Sequence, residues 1–467
     1  MLWGMDDKRL FSGMDGLGAS SGALAERGDR VEPEDLRLER PDRKQMRMEV
    51  GCWDDRVPEA HPVRVIWEVT GRLDLSKFYG SLKVCHGLAG RSAKDPRLLV
   101  ALWLYAATEG IGSARELERR CERDDHYQWL LGGVQVNHHT LSDFRTGHGE
   151  ALDDLLTQIL TVLVDQDLVQ VYRICQDGMR VRACAGASSF RRQERLSKLQ
   201  EQARCHIEDL KKQVDAPAAA EWSARQKAAR QRAAKERASR VEAALGQLPK
   251  LQAAQEELQK KCSRKQQAVL KTKREPRAST TDAEARVMKM PDGGFRPAYN
   301  VQLAQDPKSR AIVGVDVTNA GVDVGQAEPM RKQVQERTGR QVGEHVMDGG
   351  FVKHDEIDRA AAEGVRVYAP PKPPRNKDRR TDAYQPRAGD SEAVQQWRER
   401  MGSPEGQTIY KQRGAIAETV NGDLKTYRGV HRFLVRGLAK VKCVTLWSAL
   451  AYNVMHFGWA LLGQTGS

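Results

Sequence analysis

The stretch LVQVYRICQDGMRVRA, residues 168–183, interrupts a long run of helical sequence with a different periodicity. It is rich in β-branched and apolar residues and contains an Asp-Gly dipeptide. This pattern predicts a strand, a tight turn and a second short extended piece. Asp177 is therefore expected at the end of the strand. Asp-Gly is an ordinary turn dipeptide, so the meaning of this acid depends on what the rest of the chain places beside it.

The sequence before this strand predicts helices. Residues 96–110 begin with proline, are apolar on most faces and end at glycine, which is typical of a buried helix. Residues 113–124 begin with a capping box, Ser and then Glu three positions later. Residues 137–149 fit either a helix-turn-helix-like DNA reader or an unliganded bundle. We assign 46–165 to a helical DNA-binding domain and expect 1–45 to be a disordered extension.

The sequence after the strand predicts a helical insertion. Apolar residues recur at spacings of three and four from Leu196 to Val214, and a second helix rich in lysine and arginine follows. Pro217 separates the two helices, and Pro249 is expected to kink or end the second. We predict an antiparallel helical hairpin or coiled coil over 186–280, whose basic face is either an ordinary solvated surface or a contact for a phosphate backbone.

Strands and helices alternate beyond the insertion. The predicted elements are two strands in 296–319 joined by QDPKSR, a helix over 323–338, a strand in 340–351 that stops at Asp348, a helix over 354–363, a strand over 364–370, a mobile loop over 371–406 and a helix carrying Glu418. Without the insertion the order is β-β-β-α-β-α-β-α, the order of a ribonuclease H-like mixed sheet. The fold class is therefore α/β, with a catalytic domain expected at 166–185 and 281–463.

Three acids remote in sequence would converge in such a fold. Asp177 and Asp348 would end neighbouring strands, and Glu418 would lie on the helix packed beside them. Three carboxylates without histidine or cysteine suit Mg²⁺, which is a hard cation. Cutting and rejoining a phosphodiester uses two such ions. We therefore expect these three acids to be catalytic metal ligands for two Mg²⁺ ions, with Mn²⁺ as a possible substitute.

The charge balance points to a polyanionic partner. Lysine and arginine number 76 against 63 acidic residues, the net charge is +13 and the isoelectric point is about 9.3. The simplest polyanion is nucleic acid.

The eight cysteines contain no CxxC pair, which argues against a zinc ribbon and indicates reduced thiols. One loose group of potential zinc ligands consists of Cys121, His126, His138 and His139. Its spacing matches no zinc pattern, so no zinc site is predicted there.

One segment is long and apolar enough to raise the question of a membrane span. Residues 443–463 contain no lysine, arginine, aspartate or glutamate, but they include Thr445, Ser448 and Asn453. Nothing else in the chain resembles a membrane protein. A buried helix packed on a sheet is the favoured prediction, and a cytoplasmic protein without membrane contact is expected.

The chain resembles the DDE-type transposases of bacterial insertion sequences over about residues 50–460. The segments that carry the resemblance are HPVRVIWEVTGRLDLSKFYG, HHTLSDFR, QDGMRVRA, STTDAEARVMK with RPAYNVQLAQD, VMDGGF and YKQRGAIAETVNGDLKTYRGVHRFLVRGLAKV. The resemblance implies binding to the terminal inverted repeats of an element, DNA cleavage at its ends and strand transfer into target DNA. It also implies a homodimer or higher oligomer on DNA.

The family signature around the third acid is Tyr, two residues, Arg, three residues, Glu, six residues, Lys. Tyr410 to Arg413 and Glu418 to Lys425 fit this spacing, whereas Arg413 to Glu418 is one residue too long. The resemblance implies that Tyr410, Arg413 and Lys425 contact DNA. It implies the same for Arg180, which stands where lysine is commoner.

Two other acids compete with Glu418 for the third position. Glu405 is expected in the loop before the helix, and Asp423 on a different helical face. Two other functions also remain open. One is a ribonuclease H-like nuclease that cuts without joining, and the other is a transposase-derived DNA-binding protein whose active site has decayed.

Overall fold

The structure is a computed structural model that describes residues 51–80, 82, 92–215, 223–260, 275–372 and 382–463. The predicted disorder of 1–45 and the predicted break at Pro217 lie outside the described residues. Within them, 52–467 groups as one compact unit, and every element below belongs to it.

Helices occupy the N-terminal part, as predicted. Their bounds are Pro62–Arg72 (α1), Ser76–Tyr79 (α2), Pro96–Thr108 (α3), Ala114–Arg123 (α4), Asp125–Leu131 (α5), His138–Gly147 (α6) and Gly149–Asp165 (α7). Helix α3 is buried on nearly every face. The predicted capping contact of α4 is present, because the Ser113 side chain accepts a hydrogen bond from the Glu116 amide. The α6 segment is helical, but its geometry does not decide between a DNA reader and a plain bundle.

A mixed sheet follows. Its strands are Arg173–Arg182 (β1), Arg286–Lys289 (β4), Phe295–Gln305 (β5), Ile312–Thr318 (β6), Glu344–Val346 (β7) and Arg366–Tyr368 (β8). The order is β4-β5-β1-β7-β8, and β6 also pairs with β5. Strand β5 is antiparallel to β1, β4 and β6, whereas β7 is parallel to both β1 and β8. Strand β1 is therefore central, and β4 is a strand that the sequence pattern did not predict.

The predicted turn at Asp177-Gly178 is wrong. Pairing between β1 and β5 continues without interruption from Cys175 opposite Gln305 to Arg182 opposite Ala298. A strand whose ladder is maintained on one side cannot reverse, so the Asp-Gly dipeptide lies in the middle of β1. Pairing with β7 stops at Cys175, and Asp177 is thus just beyond the point where β1 loses its parallel neighbour.

The insertion is helical, as predicted. Helices Gln193–Asp215 (α8) and Ala224–Lys260 (α9) pack on each other, and their base is joined by strands Phe190–Arg191 (β2) and Ala278–Ser279 (β3). The start of α8 contacts the later half of α9 in a small hydrophobic cluster of its own, which fits antiparallel packing. Helix α9 continues through Pro249, so the expectation that this proline ends the helix is wrong, and the alternative of a kink stays a prediction.

The segment predicted as a loop over 371–406 contains regular structure. Helix Glu392–Gly402 (α12) follows Ala327–Thr338 (α10) and His354–Ala362 (α11), and the next helix, Pro404–Thr426 (α13), begins almost at once. Charged and amide residues together outnumber the apolar ones in α12, and this concealed its periodicity. Its folding depends on Trp397, which is buried and donates a hydrogen bond to Ala369 O at 3.1 Å.

The last helix, Leu438–Leu461 (α14), joins the two parts of the protein. It packs on α1, α3, α6 and α7 and also on β6. The Asn453 side chain accepts from Ile312 N at 3.0 Å and donates to Ile312 O at 2.9 Å. The preference for a buried helix is confirmed. Among the described residues, no helix has the length and apolar character needed to cross a bilayer.

One large hydrophobic core includes side chains from the N-terminal helices, the sheet and α14. The predicted boundary near 165 therefore marks a change in secondary structure within a continuous core. The division into a DNA-binding domain, a catalytic domain and an insertion stays a prediction.

Candidate active site

Two of the predicted acids lie at the same level of the sheet. Strands β1 and β7 are parallel, and Cys175 is opposite Val346. Asp177 and Asp348 are each two residues further along their own chains. The register therefore brings them to the same level, just beyond the last paired residues of β1 and β7. The Asp348 carboxylate accepts a hydrogen bond from Gly350 N in the turn that follows β7.

Helix α13 supplies two direct contacts to Asp177. Arg413 Nη1 lies 3.3 Å from Asp177 Oδ1, and Asn421 Nδ2 donates to Oδ2 at 2.9 Å. Arg413 was predicted as a site residue, and it reaches the first acid. Asn421 was not predicted, because a single asparagine in a helix carries no sequence signal. Its position three residues after Glu418, on an adjoining helical face, could have suggested it.

Glu418 lies on the same helix but makes no hydrogen bond or ion pair with Asp177 or Asp348. Its side chain is exposed and makes no hydrogen bond or ion pair with the described residues. Its Oε1 lies 4.0 Å from the position that a Cβ at Gly414 would occupy, so the side chain runs back along the helix. Within the described ranges, no group of three or more His, Cys, Asp or Glu side chains is placed to hold a metal ion.

The two competing acids are in different situations. Glu405 is in the first turn of α13, so its predicted position in a loop is wrong. Asp423 accepts a hydrogen bond from Arg428 at 2.9 Å. Neither makes a hydrogen bond or ion pair with Asp177 or Asp348 in the described structure.

The sequence analysis missed a further acid, Asp323. It lies between β6 and α10 with its side chain 12% exposed. Its Oδ1 accepts hydrogen bonds from Asn300 at 2.7 Å and from Gln302 at 2.8 Å, and Arg180 approaches Oδ2 at 3.3 Å. The sequence GVDVG around it resembles a surface loop, and only the tertiary structure places it beside β1.

Two of the predicted cations contact these acids: Arg180 approaches Asp323 and Arg413 approaches Asp177. The Arg180 guanidinium also donates to Gly321 O at 3.2 Å. The Arg413 guanidinium lies 5.7 Å from the centre of the Tyr410 ring, which supports it from the N-terminal side. Lys425 is half-buried and has no hydrogen bond or ion pair in the described part of the chain.

The electrostatics of Asp177 are those of a crowded carboxylate. Burial raises the pKa of its carboxyl, the Arg413 charge lowers it, and the neighbouring charges of Asp348 and Asp323 raise it. Like charges held together in a partly buried site favour a bound cation, which removes their repulsion. The oxygen donors of the two aspartates fit a hard divalent cation.

The loose group of cysteine and histidines does not converge. Cys121 is buried, His138 binds Glu118 at 2.8 Å and His126 stacks on His61 with ring centres 4.0 Å apart. Cys121 thus belongs to the helical core, whereas His126 and His138 are partly exposed and make separate contacts.

Two family models match the chain. A model described as a transposase domain (DUF772) matches residues 51–147, and one described as a transposase DDE domain matches residues 371–457. The first covers helices α1 to α6, and the second covers the helix that carries Arg413, Glu418 and Asn421. No curated protein and no solved structure matches the chain. The transposase matches near the two ends of the chain support the identification of an insertion-sequence DDE transposase.

Proposed function

We propose that this transposase binds the ends of an insertion sequence, cleaves the DNA there and transfers the cut strands into a target by two-metal phosphodiester chemistry. The observation that carries the proposal is the register of β1 and β7. It sets Asp177 beside Asp348, under a helix that contacts Asp177 and also bears Glu418.

The sheet supports a ribonuclease H-like fold for this activity. Among the five strands β6, β5, β1, β7 and β8, taken in spatial order, only β5 runs against the others. The first acid then lies on the central strand and the second directly after its parallel neighbour. This arrangement was the expectation from the element order, although Asp177 lies within its strand instead of at the end.

Asp177, Asp348 and Glu418 are the residues that would hold the divalent ions, with Mg²⁺ as the expected cofactor and Mn²⁺ as its substitute. Two such ions activate the attacking oxygen and stabilise the leaving oxygen of a phosphodiester. Because Glu418 makes no hydrogen bond or ion pair with the described residues, turning it toward the aspartates would break none. Its recruitment therefore costs mainly side-chain entropy.

Arg413 has two roles in this proposal. When no metal ion is bound, Arg413 pairs with Asp177 and compensates the charge of its carboxylate. When ions satisfy that carboxylate, its guanidinium can bind a phosphate oxygen of the DNA end. Lys425 and Arg180 add positive charge near the same place, and Tyr410 supports the Arg413 side chain. These four residues align the DNA, which lowers the barrier by fixing the reacting atoms in place.

The DNA partners are the terminal inverted repeats and the target duplex. The N-terminal helices and the basic helix α9 supply the surface for them. Their contacts should be largely to phosphates, since the net charge is +13. A dimer or higher oligomer on DNA and a cytoplasmic location are part of the same proposal.

The test uses the inverted repeats that flank the reading frame as labelled, pre-cut ends and a supercoiled plasmid as target. Joining in Mg²⁺ by the wild-type protein, and its loss in Asp177→Ala, Asp348→Ala and Glu418→Ala, would support the proposal. Binding of the ends in EDTA should persist in all three variants. Cutting without joining would instead identify a nuclease.

A second candidate is a DNA-binding protein whose catalysis has decayed. The observation that favours it is that Glu418 stays exposed, away from Asp177. End binding by the wild-type protein without cleavage or joining in either Mg²⁺ or Mn²⁺ would decide for this candidate.

A further inference from the structure

The absence of a side chain at residue 178 lets an additional acid approach the active-site strand. A Cβ at Gly178 would overlap Asp323 Oδ1 and would stand 2.7 Å from Gln302 Nε2. The Asp323 carboxylate therefore occupies the space that any other residue at 178 would fill. Because Gly178 directly follows Asp177, Asp323 comes close to the first acid from the opposite face of the sheet.

The same carboxylate is close to the second acid. Its Oδ2 lies 3.8 Å from the position of a Cβ at Gly350, in the turn that begins at Asp348. Asp323 thus lies between the segments that carry Asp177 and Asp348.

The position of Asp323 is fixed by a buried amide network. Asn300 and Gln302 are on β5, opposite Arg180 and Gly178 of β1. Both amides are fully buried and both donate to Asp323 Oδ1, while Gln302 accepts a hydrogen bond from Gln176 at 2.9 Å. These donors, together with Arg180, fix the Asp323 carboxylate in position beside β1.

We propose that Asp323 is a fourth acidic residue of the active site, a positioning residue that holds Arg180 and whose charge, acting across Gly178, strengthens divalent-cation binding at Asp177. The inference rests on the proposed function, because it concerns the ion-binding step of that chemistry. It assigns no direct ligation to Asp323, since its oxygens are already used by Asn300, Gln302 and Arg180.

The effect of Asp323 on cation binding and its effect on the position of Arg180 can be separated, because removing each charge should change the cation affinity in a different direction. Removing the negative charge of Asp323 should weaken the attraction of a cation. Removing the positive charge of Arg180 should leave cation binding unchanged or strengthen it, and should weaken DNA binding. A fixed unit charge near a divalent ion in a partly screened site changes its affinity by about tenfold, which corresponds to about 1.4 kcal/mol.

The experiment measures Mn²⁺ binding to the DNA-free, full-length protein by the loss of the free-ion electron paramagnetic resonance signal. The variants are Asp177→Asn, Asp323→Asn, Arg180→Met and Asn300→Leu. Asp316→Asn is the matched control. It removes one acidic charge from the neighbouring strand β6, where Asp316 is paired with Lys442 at 3.2 Å.

We expect Asp177→Asn to abolish Mn²⁺ binding and Asp323→Asn to weaken it by about tenfold. Arg180→Met and Asp316→Asn should bind Mn²⁺ at least as well as the wild type. Asn300→Leu removes a hydrogen bond but keeps the charge, so its affinity should stay within about twofold of the wild type. Equal losses in Asn300→Leu and Asp323→Asn would mean that Asp323 acts only through packing, and this would overturn the inference.

The failure of the inference differs from the failure of the proposed function. If the wild-type protein binds Mn²⁺ through Asp177 and Asp323→Asn binds it equally well, only the role of Asp323 is refuted. If the wild-type protein binds no Mn²⁺, the proposed two-metal chemistry is refuted as well. Should Asp323→Asn fail to fold, as judged by circular dichroism, Gly178→Ala replaces it. That variant keeps the charge but displaces it, so unchanged Mn²⁺ affinity would refute the inference.

Discussion

Replacing Asp177 by asparagine should stabilise the metal-free protein and remove its stabilisation by Mg²⁺. Burial raises the pKa of the Asp177 carboxyl, and the nearby acids act in the same direction. A raised folded-state pKa contributes stability only below the unfolded pKa, and this contribution is lost as the pH rises through the folded value. At neutral pH the ionised Asp177 is therefore a net cost to the folded state, even with Arg413 beside it.

The magnitude follows from the contacts. Asparagine has the shape of aspartate and can still accept the hydrogen bond from Asn421, but it offers Arg413 a weaker acceptor or none. The substitution removes the burial and repulsion of the Asp177 charge and weakens one polar contact. The net increase in unfolding free energy should be about 0.5–2 kcal/mol. In the wild type, Mg²⁺ at ten times its dissociation constant should add about 1.4 kcal/mol. The difference in unfolding free energy between Asp177→Asn and the wild type should thus shrink or change sign when Mg²⁺ is added.

The assay is urea unfolding at neutral pH, in EDTA and in Mg²⁺, followed by tryptophan fluorescence. Asp154→Asn is the control, because it removes one acidic charge from an ion pair with Lys77 on the helical side of the protein. Its response to Mg²⁺ should equal that of the wild type. If Asp177→Asn is less stable than the wild type in EDTA and gains as much from Mg²⁺, the account of a crowded ion-binding carboxylate is wrong.

Four further results are expected. Glu418→Ala should abolish strand transfer and keep end binding, whereas Glu405→Ala should retain strand transfer; the reverse result in a joining assay would show that the third acid is misplaced. Lys425→Ala should lower the joining rate by about tenfold at saturating metal and leave the Mg²⁺ dependence unchanged, because a phosphate contact aligns DNA without binding ions; a shifted Mg²⁺ titration would contradict this role. Burial lowers the pKa of His345 well below 6.5, so its contribution to stability is present above pH 6.5 and is lost as the pH falls below that value. His345→Gln should therefore lose less unfolding free energy than the wild type between pH 6.5 and 5. An equal loss in both proteins would show that His345 is not the cause of the pH dependence. Leu196→Ala should lower the unfolding free energy of the insertion by about 2–4 kcal/mol. Amide hydrogen exchange should then become faster in α8 and α9 but not in β1. An equal increase in all three elements would show that the insertion does not unfold separately.

The helices of the N-terminal part and the strands after the insertion could be predicted because their signals are local. A run such as 96–110 is apolar over several turns, and QDPKSR separates two β-branched runs. The adjacency of β1 and β7 followed from the element order, because parallel strands and their connections allow few topologies. The element order therefore predicts that Asp177 and Asp348 lie on neighbouring strands, whereas Arg413 was a candidate through the family resemblance around Glu418.

Local signals failed where tertiary contacts opposed them. Asp-Gly favours a turn, yet the ladder with β5 holds Asp177 and Gly178 in an extended strand. The sequence of α12 contains many charged residues, yet burial of Trp397 stabilises it as a helix. Pro249 removes a backbone donor, yet packing of the insertion helices keeps α9 continuous. In each case the free energy of packing exceeds a local preference of about 1–3 kcal/mol.

The sequence by itself determined the helical and strand character of most of the chain, its basic charge and the set of candidate acids, because periodicity, charge and residue chemistry are properties of the chain alone. Only the tertiary structure decided that Asn421 and Asp323 belong with Asp177 and that Glu418 remains exposed. The physical reason is that these relations depend on strand register, on helix rotation and on the space left by Gly178. Such quantities are set by contacts between residues far apart in the chain.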